Sequence, residues 1–282
     1  MPYQVGDFCF IFVKIIFMDG IIILCIKKPS YAAAAYNLAL SIQYHSPGTH
    51  ITLLSDGIHR KVFQGHNFAP FNLIKEIPEM DVAESKLSIA QFAFADCNLY
   101  VDADSICIKD IKPIFEKLKG FSFKSNVIEG YLNWTSDDRF ERFFHVKPGQ
   151  TINSSWMYFE KHDVFNKGLA FYKQGFPKDQ LTERWGGHLP DEMFFNAALS
   201  NLNIDSKVDF DIMYFDSKDK TAIPLEIKEK FYFMTFHGNE HTSRLLLREY
   251  YDRVMFKICS HFRVGHKFKM PDIIQNKLVN EK

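Results

Sequence analysis

The sequence predicts an α/β domain built on a mostly parallel sheet flanked by helices, with a less regular second half. Three observations predict it: apolar strands and amphipathic helices alternate from Gly20 onward; Ile21–Ile26 is an unbroken apolar run, as in a strand covered on both faces; and the strand at Asn98–Val101 runs straight into Asp102-Ala103-Asp104. At 282 residues with 46% apolar content the chain can bury a real core.

Each element follows from local pattern. Phe8 to Ile26 reads FCFIFVKIIFMDGIIILCI, interrupted by Lys14 and the Asp19-Gly20 turn signal, and is read as two short strands rather than a membrane span. Lys27-Lys28-Pro29 follows where a signal peptide would need a small-residue cleavage site. Met18 is an alternative start, with 1–17 a short extension. Ser30 is the expected cap of a helix over Tyr31–Tyr44, ended by Ser46-Pro47-Gly48. Strands are expected at Ile51–Leu54 and Leu73–Ile77. Glu84–Ala95 is expected as one helix with Leu87, Ala90, Gln91 and Phe94 at helical spacing.

The second half reads as helices at Ile111–Leu118, Asp163–Gln174 and Asp191–Leu202, with strands at Ser155–Phe159 and Phe231–Phe236. The last helix, Arg244–Phe262, carries Leu245, Leu246, Tyr250, Val254, Ile258 and Phe262 on its apolar face. No Gly-, Ser- or Pro-rich linker and no repeat divides the chain. It reads as a single domain, 1–282, with a first half at 20–125, a second half at 126–243 and a basic helix and tail at 244–282.

Charge is balanced, 34 basic against 34 acidic residues, so no whole-chain field points to nucleic acid or membrane. The local exception is Arg244 to Lys282, nine basic against four acidic, where an anionic surface of lipid or DNA is an alternative to a solvated helix face. Five scattered cysteines without a C-x-x-C pair argue against a disulfide framework or structural zinc and fit a reducing, cytoplasmic setting, with peripheral membrane association an alternative.

Asp102 and Asp104 are the centre of the functional reading. Spacing i, i+2 points both carboxylates the same way if the backbone stays extended. Two such acids repel unless a cation lies between them, and an oxygen-ligated divalent ion leaves positions open for phosphate. In an open α/β sheet the carboxyl end of a strand is where ligands bind.

Tyr100-Val101-Asp102-Ala103-Asp104 resembles the D-x-D motif of the metal-dependent glycosyltransferases of the GT-A fold, a Rossmann-like architecture, and the wider sequence is similar to their glycogenin-like branch. Lys86-Leu87-Ser88-Ile89-Ala90 resembles the helix whose basic residue faces the nucleotide sugar. Asn153-Ser154-Ser155 is similar to the asparagine-small-small turn beside the donor sugar. Asp191-Glu192, at a helix start, resemble the acids that contact donor sugar and acceptor. Thr235-Phe236-His237-Gly238 resembles the late element supplying a third metal ligand. The resemblance implies Mn²⁺ or Mg²⁺ held by Asp102, Asp104 and His237, and a nucleotide-diphosphate sugar donor, a UDP-sugar first. It also implies donor contacts from Lys86, Asp102, Asp104 and Arg244, and catalytic roles for Asp191, Glu192 and Asn153. Two departures stand out: Ser155 replaces a frequent glycine, and Glu240-His241-Thr242 replaces a lysine, so that Arg244 is the remaining cation for the diphosphate.

The implied activity is transfer of a sugar to an acceptor of unidentified class: glycan, lipid-linked sugar, protein or modified DNA base. A nucleotidyltransferase is the rival enzyme, but Lys27-Lys28-Pro29-Ser30 stands where its glycine-rich phosphate loop belongs. A nucleotide-sugar-binding module without transfer is the rival of another class.

Overall fold

The computed structural model describes residues 18–64, 69–127, 138–147, 151–175, 190–215, 229–235 and 241–264. Six strands form the main sheet in the order β3-β2-β1-β4-β7-β6: β1 (Asp19–Cys25), β2 (His50–Ser55), β3 (Leu73–Glu76), β4 (Cys97–Val101), β6 (Phe123–Val127) and β7 (Ile152–Phe159). The pairs β1–β2, β2–β3 and β1–β4 are parallel, while β7 runs antiparallel to both β4 and β6. A three-stranded sheet, β5-β9-β8, is built from β5 (Ser105–Cys107), β8 (Met213–Phe215) and β9 (Phe233–Thr235).

Both faces of the main sheet are covered, which is why β1 is apolar from Ile21 to Cys25. Ile22 and Leu24 pack into one core with the helices α3 (Val82–Leu87), α6 (Asp163–Gln174) and α7 (Asp191–Leu202). Ile21, Ile23 and Cys25 pack on the other side with α1 (Pro29–His45) and α4 (Lys112–Leu118). Phenylalanine fills the first core: Phe123, Phe159, Phe165 and Phe195 stack or meet edge to face with ring centres 4.5–6.4 Å apart. The short helices α2 (His59–Phe63) and α5 (Asp138–Phe144) had no counterpart in the sequence reading.

The last helix, α8 (His241–Phe262), lies against α1. Tyr250 and Ile258 are buried as expected, but the seam also takes Tyr251, Met255 and Cys259, and Asn37 Nδ2 donates to Tyr251 Oη at 2.5 Å. No described helix is long and apolar enough to cross a membrane.

The structure corrects four local expectations. Pro29, not a residue capped by Ser30, opens α1, because a missing N–H costs nothing in the first turn. The helix expected over Glu84–Ala95 is broken: α3 ends at Leu87 and Ile89–Phe92 is a 3₁₀ turn, with Ser88 N shared between the carbonyls of Glu84 and Ser85. Phe94 then leaves the core and stacks on His50. The strand expected over Phe231–Phe236 is confined to Phe233–Thr235 within the described residues. The Asp102–Asp104 backbone does not stay extended but turns, handing the chain from the main sheet to the small one.

Candidate active site

The site forms where β4 ends. Lys86 sits in α3, whose first turn is fixed by Asp81: Oδ1 accepts from Glu84 N at 2.8 Å, and Oδ2 accepts from the Tyr172 hydroxyl of α6. Gly168 of α6 lets α3 approach closely, since a Cβ there would fall 2.8 Å from Leu87 Cδ2. This packing drives the Lys86 side chain into the protein, where it is 9% exposed.

The D-x-D turn meets it from the sheet. Asp102 N donates to Ser155 O at 2.8 Å, prolonging the β4–β7 pairing by one residue before the chain turns at Ala103 and Asp104. Lys86 Nζ lies 3.0 Å from Asp102 Oδ1, and Tyr100 Oη donates to the same oxygen at 2.5 Å. Tyr100 was not among the sequence candidates, although its spacing of two from Asp102 on a strand was the available signal.

A bulge in β7 brings the third part. Ser125 pairs with Met157 but its neighbour Asn126 pairs with Asn153, so three residues, 154–156, bow out of register. Ser154 is fully buried there; its hydroxyl accepts from Lys86 Nζ at 3.0 Å and donates to Asp191 Oδ2 at 2.6 Å. Asn153 does otherwise: its Oδ1 accepts from Ser155 N at 2.9 Å and shapes the bulge, and no described bond joins it to the cluster. Ser154, next to the candidate Asn153, was missed. Trp156 is a core residue opposite Val101, while Trp134 and Trp185 lie outside the described residues.

Asp191 is the first residue of α7 and caps nothing; the N-cap is Pro190. Asp191 Oδ2 is instead 3.5 Å from Lys86 Nζ. Asn196, buried one turn on, accepts from Ile152 N at 3.0 Å and so pins α7 to the start of β7. Lys86, Asp102, Asp191 and Ser154 therefore form one buried polar cluster. Burial alone would lower the affinity of Lys86 for its proton, but Asp102 and then Asp191 outweigh it and hold the ammonium charged well above its ordinary range. Glu192 is shifted the other way: burial first, then Asp191, raise its pKa toward neutrality, with Lys86 opposing.

The donors suit a hard divalent cation, since Asp102 and Asp104 offer carboxylate oxygens. Both carboxylates also act on Tyr31, in the first turn of α1, where they add to burial in raising its pKa. Among the described residues no three His, Cys, Asp or Glu side chains form a metal cage by themselves. His237 lies outside the described residues, as does the side chain of Arg244. Strand β9 ends at Thr235, which pairs with Ser105, the residue after Asp104.

No family model matches the sequence, and no curated protein matches it. Solved structures do match. The galactosyltransferase LgtC, in complex with donor and acceptor sugar analogues, aligns with a TM-score of 0.51 at 12% identity, over 85% of this chain and 96% of its own. An active-site mutant of LgtC gives 0.52 at 14%, over 86% and 96%. The bifunctional glycosyltransferase WbbM, in its apo structure, gives 0.56 at 12%, over 93% of this chain and 52% of that one, so the chain spans about half of WbbM. The chain thus has the GT-A type of α/β fold that these glycosyltransferases share, a mostly parallel six-stranded sheet flanked by helices.

Proposed function

We propose that this protein is a metal-dependent glycosyltransferase that moves a sugar from a nucleotide-diphosphate donor, a UDP-sugar first, to an acceptor. One observation carries the reading beyond the fold: a single buried ammonium, Lys86, lies between Asp102 of the D-x-D turn and Asp191 at the start of α7. Residues with candidate roles toward the donor and toward the transferred sugar are thus joined at the carboxyl end of a strand, where open α/β sheets bind ligands.

Asp102 and Asp104, with His237, are the residues to hold Mn²⁺ or Mg²⁺, which when bound supplies positive charge to the departing diphosphate. The pairing of Ser105 with Thr235 supports His237 in that set, because two further residues of chain reach at most about 7 Å. Arg244 is the candidate for the outer phosphate. A cleft of about 580 Å³ between the loops after β1 and β2, bordered by Lys27, Asp56, Lys61 and Glu79, offers room for the nucleoside. Asp191, held by Lys86 and Ser154, is the candidate to orient a sugar hydroxyl. Glu192, its pKa raised, is able to exchange a proton near neutral pH. Asn153 serves this site by shaping the bulge that presents Ser154. The buried free thiols Cys25, Cys97, Cys107 and Cys259 suit a reducing compartment.

The test is a screen of nucleotide sugars for donor hydrolysis with and without Mn²⁺, which needs no acceptor. Metal-dependent hydrolysis of one donor, lost in Asp104→Asn, is the expected result. Tight donor binding without any hydrolysis or transfer would favour a binding module instead.

A further inference from the structure

We propose that Lys86 is a resident counter-ion that sets the affinity of the Asp102–Asp104 turn for a divalent cation and, by sharing itself with Asp191, links metal loading to the start of α7. The inference rests on the reading above in taking Asp102 and Asp104 as metal ligands, and it assigns Lys86 a task other than gripping the donor.

An ammonium has three N–H groups. Those of Lys86 face three acceptors inside the protein: Asp102 Oδ1 at 3.0 Å, Ser154 Oγ at 3.0 Å and Asp191 Oδ2 at 3.5 Å. The Tyr100 ring lies on a further side, its centre 5.4 Å from Nζ. Two of its three N–H groups thus have close acceptors inside the protein, Asp102 and Ser154, and Asp191 lies at ion-pair distance from the same nitrogen. What the ammonium supplies is charge, fixed and out of water, where it acts more strongly than on a surface.

Its partners carry the consequence. A cation that takes Asp102 competes with Lys86 for the same carboxylate and is repelled by it at close range. Asp191 eases that competition, because the ammonium keeps a second carboxylate when the first is drawn toward the metal. The relay is short: Ser154 donates to Asp191 at 2.6 Å, and Asn196 ties α7 to β7 by accepting from Ile152 N. Metal at the turn and the orientation of Asp191 are therefore two ends of one hydrogen-bonded group, and by linkage each biases the other. Lys86 is a positioning residue in this scheme.

The measurement is Mn²⁺ binding to the full chain without nucleotide sugar, followed by the loss of the free Mn²⁺ paramagnetic signal. Lys86→Met is expected to bind Mn²⁺ more tightly than wild type, roughly tenfold or more, since a unit positive charge a few ångströms away is removed. Asp191→Asn is expected to bind it more weakly. Because Lys86→Met leaves buried Asp191 and half-buried Asp102 without their cation and endangers the fold, the double variant Lys86→Met/Asp191→Asn is measured against Asp191→Asn, with circular dichroism and melting as the check. It too should bind more tightly than its parent. Unchanged or weaker binding in the double variant overturns the proposal and leaves Lys86 as a mere support for Asp102. A wild type that binds no Mn²⁺ is a different result: it overturns the metal reading itself.

Discussion

Ser154 Oγ donates to Asp191 Oδ2 across 2.6 Å, and so ties a bulge of the sheet to the first residue of a helix. Both residues are buried, and the same hydroxyl accepts from Lys86. Ser154→Ala therefore removes two bonds of charged groups at once. Its cost is expected at about 1–3 kcal/mol in thermal unfolding. Ser155→Ala is the control, because the bonds of Ser155 to Asp102 and Asn153 are made by its backbone. An equal loss in both variants would show that the bulge is sensitive to any change.

The D-x-D turn and the first strand were legible in the sequence because each is a local signal. A strand buried on both faces has to be apolar at every position, and Ile21–Ile26 is. The convergence of Lys86, Ser154 and Asp191 was not legible, although Lys86 and Asp191 were singled out separately. It depends on a three-residue slip in β7 that only its pairing with β6 reveals. The break after Leu87 was hidden for a related reason: apolar spacing reports which side chains face inward, and a 3₁₀ turn keeps Ile89 and Ala90 buried as well as an α-helix would.

Donor binding is expected to be weak without divalent metal, because the diphosphate would then meet the carboxylates of Asp102 and Asp104 with no metal ion between them. Calorimetry with and without Mn²⁺ checks this, and equal affinity in chelator counts against a metal-bridged site. Asp104→Asn should lower donor hydrolysis at least about a hundredfold with the fold intact. His237→Ala should retain part of the activity, since water can replace an imidazole in a metal shell.

Glu192 gives stability a pH dependence of known sign. Its pKa in the folded chain is raised by burial and by Asp191, so its contribution is fully present below the unfolded value, about 4.3, and is lost as pH rises to and through the folded one. Glu192→Gln does not titrate. It should match wild type near pH 4 and melt higher near pH 8, by roughly 2–4 °C. A constant difference across that range would mean that Glu192 is not held neutral in the fold.

The Asp81–Tyr172 bond fixes the helix that carries Lys86. Asp81→Ala loses both the cap and this bond, and should cost about 1 kcal/mol or somewhat more. Tyr172→Phe loses the bond alone and should cost less. In the Asp81→Ala background the tyrosine substitution should then cost almost nothing. Additive losses would show that the hydroxyl works through another partner.

Arg253 and Lys257 on α8 and Arg263 just beyond its end are exposed, while Met255, Ile258 and Cys259 are buried against α1. Phe256, 62% exposed, lies among the basic residues. Neutralising the three cations together should leave the melting temperature and donor hydrolysis close to wild type, because none of them belongs to the buried cluster around Lys86. If the acceptor or its carrier is polyanionic, the triple variant binds it more weakly and with a shallower salt dependence, since each lost phosphate contact removes a counterion-release step. The two cases separate cleanly in co-sedimentation with anionic vesicles and in duplex-DNA binding over a range of salt. A triple variant that equals its parent at every salt concentration makes this face a solvated cover of the core, and a neutral glycan or small molecule then becomes the better acceptor class.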